Sequence, residues 1–426
     1  MTIAVFLGPL LGAMALGIPV AYALLLCAVA LMVHLDLFDA QVIAQNIING
    51  ADSFPLMAVP FFMLAGEIMN TGGLSRRIVT MAKALVGHIP GGLGYVAILA
   101  AAILASLSGS AVADAAALAA LLVPMMVSAG HDKARSGGLI AAAGIIAPVI
   151  PPSIGFILYG VSANVSITKL FLAGIVPGLL MATALCVAWW LVVRRETVTP
   201  PPRQSWAQIR AAAVDAVWAL MLPAIIIVGL KFGLFTPTEA AVVAAVYSLF
   251  VATVVYREMV LADLYEVFIT AAKTTSVIMF LVAAAMVTSW LVTVADLPGM
   301  LADMLAPLMD SPMLLTFAIM ALVVLIGTSM DMTPIILILT PVLVPVVQQA
   351  GIDPVYFGVL FIMNTSIGLI TPPVGTVLNV VCGVSHLKME EIVKGVWPFL
   401  VAQVLVLLLL ILFPALVTVP AAWFAH

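Results

Sequence analysis

Charge is scarce in this 426-residue chain: Asp, Glu, Lys and Arg together make up 8%, against roughly a quarter in an average soluble domain. Hydrophobic residues make up 65%, more apolar surface than a water-soluble fold can hide. Basic runs are missing too, and with a formal net charge of -4 this argues against a nucleic-acid partner. The three cysteines, Cys27, Cys186 and Cys382, are isolated in apolar sequence without paired spacing. That excludes a disulfide framework or thiolate metal site and leaves them as small buried hydrophobes. The five histidines stand singly, mostly near expected helix ends, which suits interfacial residues better than metal ligands. The opening Met-Thr-Ile-Ala-Val-Phe-Leu lacks a basic n-region, and its apolar run continues to Val33, beyond signal-peptide length. The segment is therefore expected to be retained, as one tilted span or as a short pair broken at Gly17-Ile18-Pro19.

Long apolar stretches are what the sequence has in abundance. About 20 such residues cross the ~30 Å hydrocarbon core as a helix, and stretches of that kind recur from Val5 to Val419, so the bilayer is the expected solvent.

Shifting the chain by 221 residues brings two halves into register from about Ser108 to Pro177. Val123-Pro124 meets Val344-Pro345, Ala129-Gly130 with Asp132 meets Ala350-Gly351 with Asp353, and Pro151-Pro152 meets Pro372-Pro373. Gly174 and Pro177 meet Gly395 and Pro398, and Ser108 meets Ser329. Shared Pro, Gly and Asp at one offset signal an internal repeat rather than generic apolar likeness. The first repeat is read as 1–193 and the second as 214–426, joined by a linker at 194–213 that contains Thr-Pro-Pro-Pro. Arg194, Arg195, Arg203 and Arg210 outnumber the acids there, which puts the linker in the cytoplasm.

The segment 74–87 carries Arg76, Arg77 and Lys83, whereas its counterpart 297–312 carries Asp303 and Asp310. Lys133 and Arg135 likewise face only Asp353 in the matching loop. Opposite charge bias in corresponding segments points to an inverted repeat, and both short segments read as amphipathic helices in the interface or as solvated loops.

Two places in each half interrupt apolar sequence with polar or helix-breaking residues. Ser106 to Ala111 (Ser-Leu-Ser-Gly-Ser-Ala) and Gly327 to Pro334 (Gly-Thr-Ser-Met-Asp-Met-Thr-Pro) are polar centres between apolar arms. They fit the tips of re-entrant hairpins at about 92–130 and 313–350, or tight loops between ordinary spans. Gly144 to Ser153 and Thr365 to Gly375 contain the repeated Pro-Pro pairs. Proline removes an N–H and clashes with the preceding turn, so these segments should unwind helices at about 138–165 and 355–385 and free carbonyls for a hard cation. Corresponding broken segments in two halves are a pointer to a transporter site, although a Pro kink without an ion remains open.

An intramembrane carboxylate is costly and functional by default, so Asp331 in the second tip is a candidate for a cation or a substrate hydroxyl. Asp114, just beyond the first tip, is open between a structural and a functional role. Two such carboxylates raise the thought of an intramembrane aspartyl protease, but the Gly-x-Gly-Asp context is absent. Glu67 and Glu239 are expected to pair across helices.

At these residues the chain resembles the large permease subunit of TRAP transporters, the tripartite ATP-independent periplasmic systems of bacteria. The resemblance covers essentially the full length. It rests on Phe-Phe-Met-Leu-Ala-Gly-Glu-Ile-Met at 61–69, Ser-Leu-Ser-Gly-Ser-Ala-Val-Ala-Asp at 106–114 and Gly-Ile-Ile-Ala-Pro-Val-Ile-Pro-Pro-Ser at 144–153. Phe-Thr-Pro-Thr-Glu-Ala at 235–240 and Gly-Leu-Ile-Thr-Pro-Pro-Val-Gly at 368–375 complete the set. Asn49-Gly-Ala-Asp-Ser-Phe, Gly92-Leu-Gly-Tyr-Val and Val255-Tyr-Arg-Glu-Met look like the branch that carries 2,3-diketo-L-gulonate.

The resemblance implies an all-α polytopic membrane protein with an inverted repeat, two re-entrant helical hairpins and two broken helices, an elevator-type transporter of the ion-transporter superfamily. It implies no enzymatic step. A small four-helix membrane subunit, expected as a separate chain, braces the large one in the bacterial inner membrane, and a periplasmic substrate-binding protein delivers a carboxylate. Sodium drives uptake of a sugar acid such as 2,3-diketo-L-gulonate, the alternatives being a C4-dicarboxylate, sialic acid, or a stand-alone cation-coupled transporter.

Carried over by motif, the first sodium site would use Ser106, Ser108 and Gly109 with Gly144, Ala147 and Pro148. The second would use Gly327 and Met330 with Gly368 and Thr371. Ala147 stands where its repeat-mate is Gly368, so the two sites need not be chemically equivalent. The carboxylate is expected between the tips, near Ser110, Ser153, Thr328 and Thr333, with Asp331 beside them.

Overall fold

A computed structural model of the chain describes residues 2–194 and 202–425. These residues form twenty α-helices and no strand, and eight helices are long and apolar enough to cross a membrane by length and composition. The N-terminal apolar run is a pair of helices, Thr2–Ala15 and Val20–His34, broken where Gly17 takes φ 78° ahead of Pro19. Part of the stretch read as linker, 195–201, lies outside the described residues. Its distal end is already helical: Trp206–Lys231 begins on a capping box. The Ser205 N–H donates to Gln208 Oε1 at 2.9 Å and the Gln208 N–H donates to Ser205 Oγ at 3.3 Å.

Helix boundaries recur at the repeat offset. Ala111–Ser128 and Lys133–Gly144 in the first half correspond to Met332–Gln349 and Pro354–Gly368 in the second, their starts 221 residues apart. Each of the four polar or Pro-Pro interruptions falls between two helices. Gly92–Ser108 ends at Gly109, Pro312–Gly327 ends before Asp331, and the Pro-Pro segments separate Lys133–Gly144 from Ile154–Ser162 and Pro354–Gly368 from Thr376–Ser385. The first unwound helix thus starts at Lys133, earlier than the sequence reading, because Asp132 caps it through the Arg135 N–H at 2.8 Å. Both Pro151-Pro152 and Pro372-Pro373 are cis.

The halves exchange partners in a repeat-related way. Ala111–Ser128 packs on Thr376–Ser385, and Met332–Gln349 packs on Ile154–Ser162. Lys133–Gly144 packs on Met389–Leu412, as Pro354–Gly368 packs on Ile167–Val193. Buried Trp189 locks this exchange, donating its indole N–H to the Gly91 carbonyl at 2.8 Å with its ring 6.2 Å from Phe399.

The amphipathic helix Leu74–Val86 is tied to the second half by charge. Arg77 donates its Nε–H to Asp215 at 3.0 Å, pairs with Glu258 at 2.8 Å, and lies 3.7 Å from the Tyr256 ring centroid. The Arg77 hydrogen bond holds the Glu258 carboxyl below its ordinary range. The pair therefore contributes its full stability above the ordinary glutamate pKa and loses it as pH falls through the depressed value. Arg77→Ala is expected to cost on the order of 2 kcal/mol, read as a lower melting temperature at neutral pH that converges on wild type in acid. Glu239, expected to pair across helices, instead accepts from the Thr236 N–H at 2.7 Å in a local capping box. Local geometry prevails because Thr236 and Glu239 sit at the N-cap and third positions of Pro237–Phe250.

Candidate functional site

The first tip is closed over by its neighbours. Gly109 has φ 61°, and a Cβ there would lie 2.6 Å from the Pro152 carbonyl oxygen, so only glycine lets this turn rest against the first unwound segment. Ser108 Oγ donates to Asp114 Oδ1 at 2.6 Å and accepts from the Ser110 N–H at 3.2 Å. Ser110 Oγ accepts from the Ala113 N–H at 3.4 Å, capping the second arm. Ser106 Oγ donates within its own helix to the Ile103 carbonyl at 2.6 Å. Asp114 is 2% exposed, and its Oδ2 is buried without a hydrogen-bond partner among the described residues.

Of the other residues carried over to this site, Gly144 packs against Ala111, the last residue of the tip, and Ala115 of the second arm. Ala147 is buried, and the Pro148 carbonyl accepts from the Ser153 hydroxyl. Ser153, fully buried, also caps Ile154–Ser162 through the Phe156 N–H at 3.2 Å.

The second tip uses a backbone-to-backbone contact instead. A Cβ on Gly368 would lie 2.9 Å from the Gly327 carbonyl oxygen and 3.0 Å from its Cα, so the tip and the second unwound helix touch through these glycines. The Val374 N–H donates to the Thr328 carbonyl at 3.3 Å, joining the far end of the unwound segment to the same tip. Thr328 and Thr371 donate their hydroxyls to carbonyls one turn back, Leu325 and Ile367, each at 2.7 Å. Asp331 accepts from the Thr376 hydroxyl at 3.2 Å. Asp331 and Thr333 line a cavity of about 540 Å³ against Val20–His34 and the long helix Leu261–Val294, while Met330 is half-buried.

Four helices therefore begin around one region: Ala111–Ser128, Ile154–Ser162, Met332–Gln349 and Thr376–Ser385. Gly109 against Ser153, Gly155 against Met332 and Asp331 against Thr376 connect them in sequence. Helix N-termini carry partial positive charge and unpaired N–H groups, suited to an anion. The helices that stop there, at Ser108, Gly144, Gly327 and Gly368, present C-terminal carbonyls suited to a hard cation. The orphaned Asp114 oxygen beside Ser108 fits a cation at the first tip. Among the described residues no cluster of three His, Cys, Asp or Glu offers a transition-metal site. The sequence leaves Asp114 open between a structural and a functional role; its six-residue spacing from Ser108 across a Gly turn is the signal that links the two.

Comparison with known proteins agrees with this architecture. A solved structure of the YdaH transporter of Alcanivorax borkumensis superposes with a TM-score of 0.63 at 15% identity, covering 91% of this chain and 90% of that one, a likeness of fold alone. The chain is 58% identical over 423 residues to the 2,3-diketo-L-gulonate TRAP transporter large permease protein YiaN of Escherichia coli K12, covering 99% of this chain and 100% of that protein. It is 40% identical to the sialic acid TRAP transporter large permease protein SiaM of Vibrio cholerae, covering 95% of each. The family described as "Tripartite ATP-independent periplasmic transporter, DctM component" matches residues 7–416, and the chain belongs to that family, as a non-enzymatic, multi-pass membrane permease subunit.

Proposed function

We propose that this permease subunit carries out sodium-coupled uptake of a sugar acid such as 2,3-diketo-L-gulonate across the bacterial inner membrane. A periplasmic binding protein delivers the acid, and a small membrane subunit braces the permease. The observation that carries this reading is the convergence of four helix starts and four helix ends on the two tips. N-termini favour the carboxylate, and carbonyl-bearing C-termini favour sodium, so one region can hold both ions while each offsets the other's charge. Ser108 and Asp114, with the Gly144, Ala147 and Pro148 segment, hold sodium at the first tip. Gly327, Met330, Gly368 and Thr371 hold it at the second. Ser110, Ser153 and Thr333 face the carboxylate from the helix starts they occupy, and Thr328 faces it from the end of Pro312–Gly327.

The repeat supports alternating access. If the halves are inverted, the hairpins and unwound helices move together as an elevator against the remaining helices, and the tips exchange exposure between the two sides. The 58% identity to a diketogulonate permease favours that substrate over sialic acid.

The test is uptake of radiolabelled 2,3-diketo-L-gulonate into proteoliposomes holding this chain and its small subunit. Uptake is expected only with both the binding protein and an inward sodium gradient. Uptake that needs neither would overturn the sodium sites and the delivery step together.

A further inference from the structure

The cavity at the second tip has a wall that the proposed sodium and carboxylate sites do not use. Its volume of about 540 Å³ is within the range of small-molecule sites. On one side are Asp331 and Thr333 of the tip; on the other are Tyr22, from the helix Val20–His34, and Ser276 and Phe280, from the long helix Leu261–Val294. The Tyr22 and Phe280 rings sit 5.2 Å apart at 58°, and both are partly exposed, at 54% and 39%. The cavity thus pairs an aromatic wall with a carboxylate and two hydroxyl-bearing residues.

That pairing selects a chemistry. An ionised carboxylate accepts hydrogen bonds and donates none, so Asp331 repels the substrate's own carboxylate and attracts its hydroxyls. Thr376 fixes the orientation of Asp331 through the 3.2 Å bond. Aromatic faces complement the C–H faces of a carbon chain whose edges carry hydroxyls. Ser276 already donates to the Ala272 carbonyl at 2.7 Å, which leaves its oxygen as an acceptor for a further hydroxyl.

We infer that Tyr22, Phe280 and Ser276 are specificity-determining residues, forming with Asp331 a subsite for the hydroxyl-bearing chain of the substrate. The carboxylate end of the same molecule lies at the helix starts. This rests on the uptake reading proposed above and extends it from a carboxylate to a polyhydroxy acid held at two ends. It also places substrate recognition partly on helices outside the hairpins, so the aromatic wall engages the substrate only while the second tip faces it.

The experiment compares two ligands in the reconstituted complex: 2,3-diketo-L-gulonate, and pyruvate, a 2-oxo acid with no hydroxyl chain. Each is titrated in sodium-containing buffer by ligand-dependent thermal shift, alongside the half-saturating sugar-acid concentration for uptake. Tyr22→Leu and Phe280→Leu are each expected to raise half-saturation for the sugar acid about tenfold, leaving weak pyruvate binding and the sodium half-saturation as in wild type. Tyr22→Phe should retain wild-type affinity. Ser276 is on an exposed helix surface, so Ser276→Leu keeps the fold and narrows the cavity even where an aromatic variant fails to assemble. Its expected result is the same selective loss. Unchanged sugar-acid half-saturation in the Leu variants would overturn the subsite and leave the cavity as a crevice for lipid. An equal loss for both ligands would also overturn it, by locating the effect at the carboxylate. Absence of sodium-dependent uptake in the wild-type complex would instead count against the uptake reading itself.

Discussion

Gly368→Val is expected to reduce uptake to background and to lower the melting temperature by several degrees. The reason is geometric. A single Cβ at Gly368 would lie 2.9 Å from the Gly327 carbonyl oxygen and 3.0 Å from its Cα, and both obstacles are backbone. No side chain can rotate away, so the tip must separate from the unwound helix. Overpacking of this kind costs about 1–3 kcal/mol, and valine adds two more methyl groups to the clash. The Thr328–Val374 backbone bond would be drawn apart by the same movement, because it joins the same two segments. Gly383 is the control: a Cβ there meets nothing within 4 Å, so Gly383→Ala should leave uptake and melting unchanged. Melting curves taken with and without sodium separate the two consequences. Lower stability without sodium measures the clash, and loss of any sodium-dependent gain measures the second cation site. Wild-type uptake in Gly368→Val would mean that the two segments do not touch in the working protein.

Asp114→Ala should abolish uptake, whereas Asp114→Asn should fold and bind sodium more weakly. Alanine leaves the buried Ser108 hydroxyl without its acceptor and opens a polar gap under the first tip, a penalty of about 1–3 kcal/mol. Asparagine keeps an oxygen for Ser108 and removes the negative charge, so it isolates the electrostatic contribution. If Asp114 supports a cation at the first tip, Asp114→Asn raises the sodium half-saturation of uptake at least about tenfold, equivalent to about 1.4 kcal/mol. The sugar-acid half-saturation at saturating sodium should move much less. An unchanged sodium half-saturation in Asp114→Asn would reduce Asp114 to a clasp that holds Ser108 in place.

Much of this molecule could be read from its sequence because backbone chemistry is local. Proline cannot continue a helix, and Pro151-Pro152 and Pro372-Pro373 stand where helices stop. Ser110 and Ser153 are N-caps, and each sits at a helix start. Side-chain partnerships were less legible because they depend on which elements meet. Glu239 reads as a charge on an apolar helix that pairs with another helix, yet it caps its own helix at the surface. Arg77 reads as one of three cations on a short amphipathic segment. Its bonds to Asp215 and Glu258 cross 138 and 181 residues of sequence. Tyr22 and Phe280 gave no signal at all, since an aromatic residue in an apolar helix is ordinary until a partner 258 positions away stands beside it.

Composition and period, by themselves, determined that this chain is a bundle of membrane helices and where those helices are interrupted. These follow from the lack of charge and from Pro, Gly and Ser positions acting on the backbone nearest to them. Only the tertiary structure decided that the surroundings of the two tips and their unwound segments differ. The first unwound segment, Ile145 to Ser153, is buried throughout, whereas Thr371 to Val374 is partly or fully exposed. Gly66 of the helix Ala58–Thr71 rests on Ser108 and covers the first tip, while the second tip borders a cavity. A repeat copies local sequence into both halves, but the helices that surround each copy are not repeated, and burial is set by what surrounds.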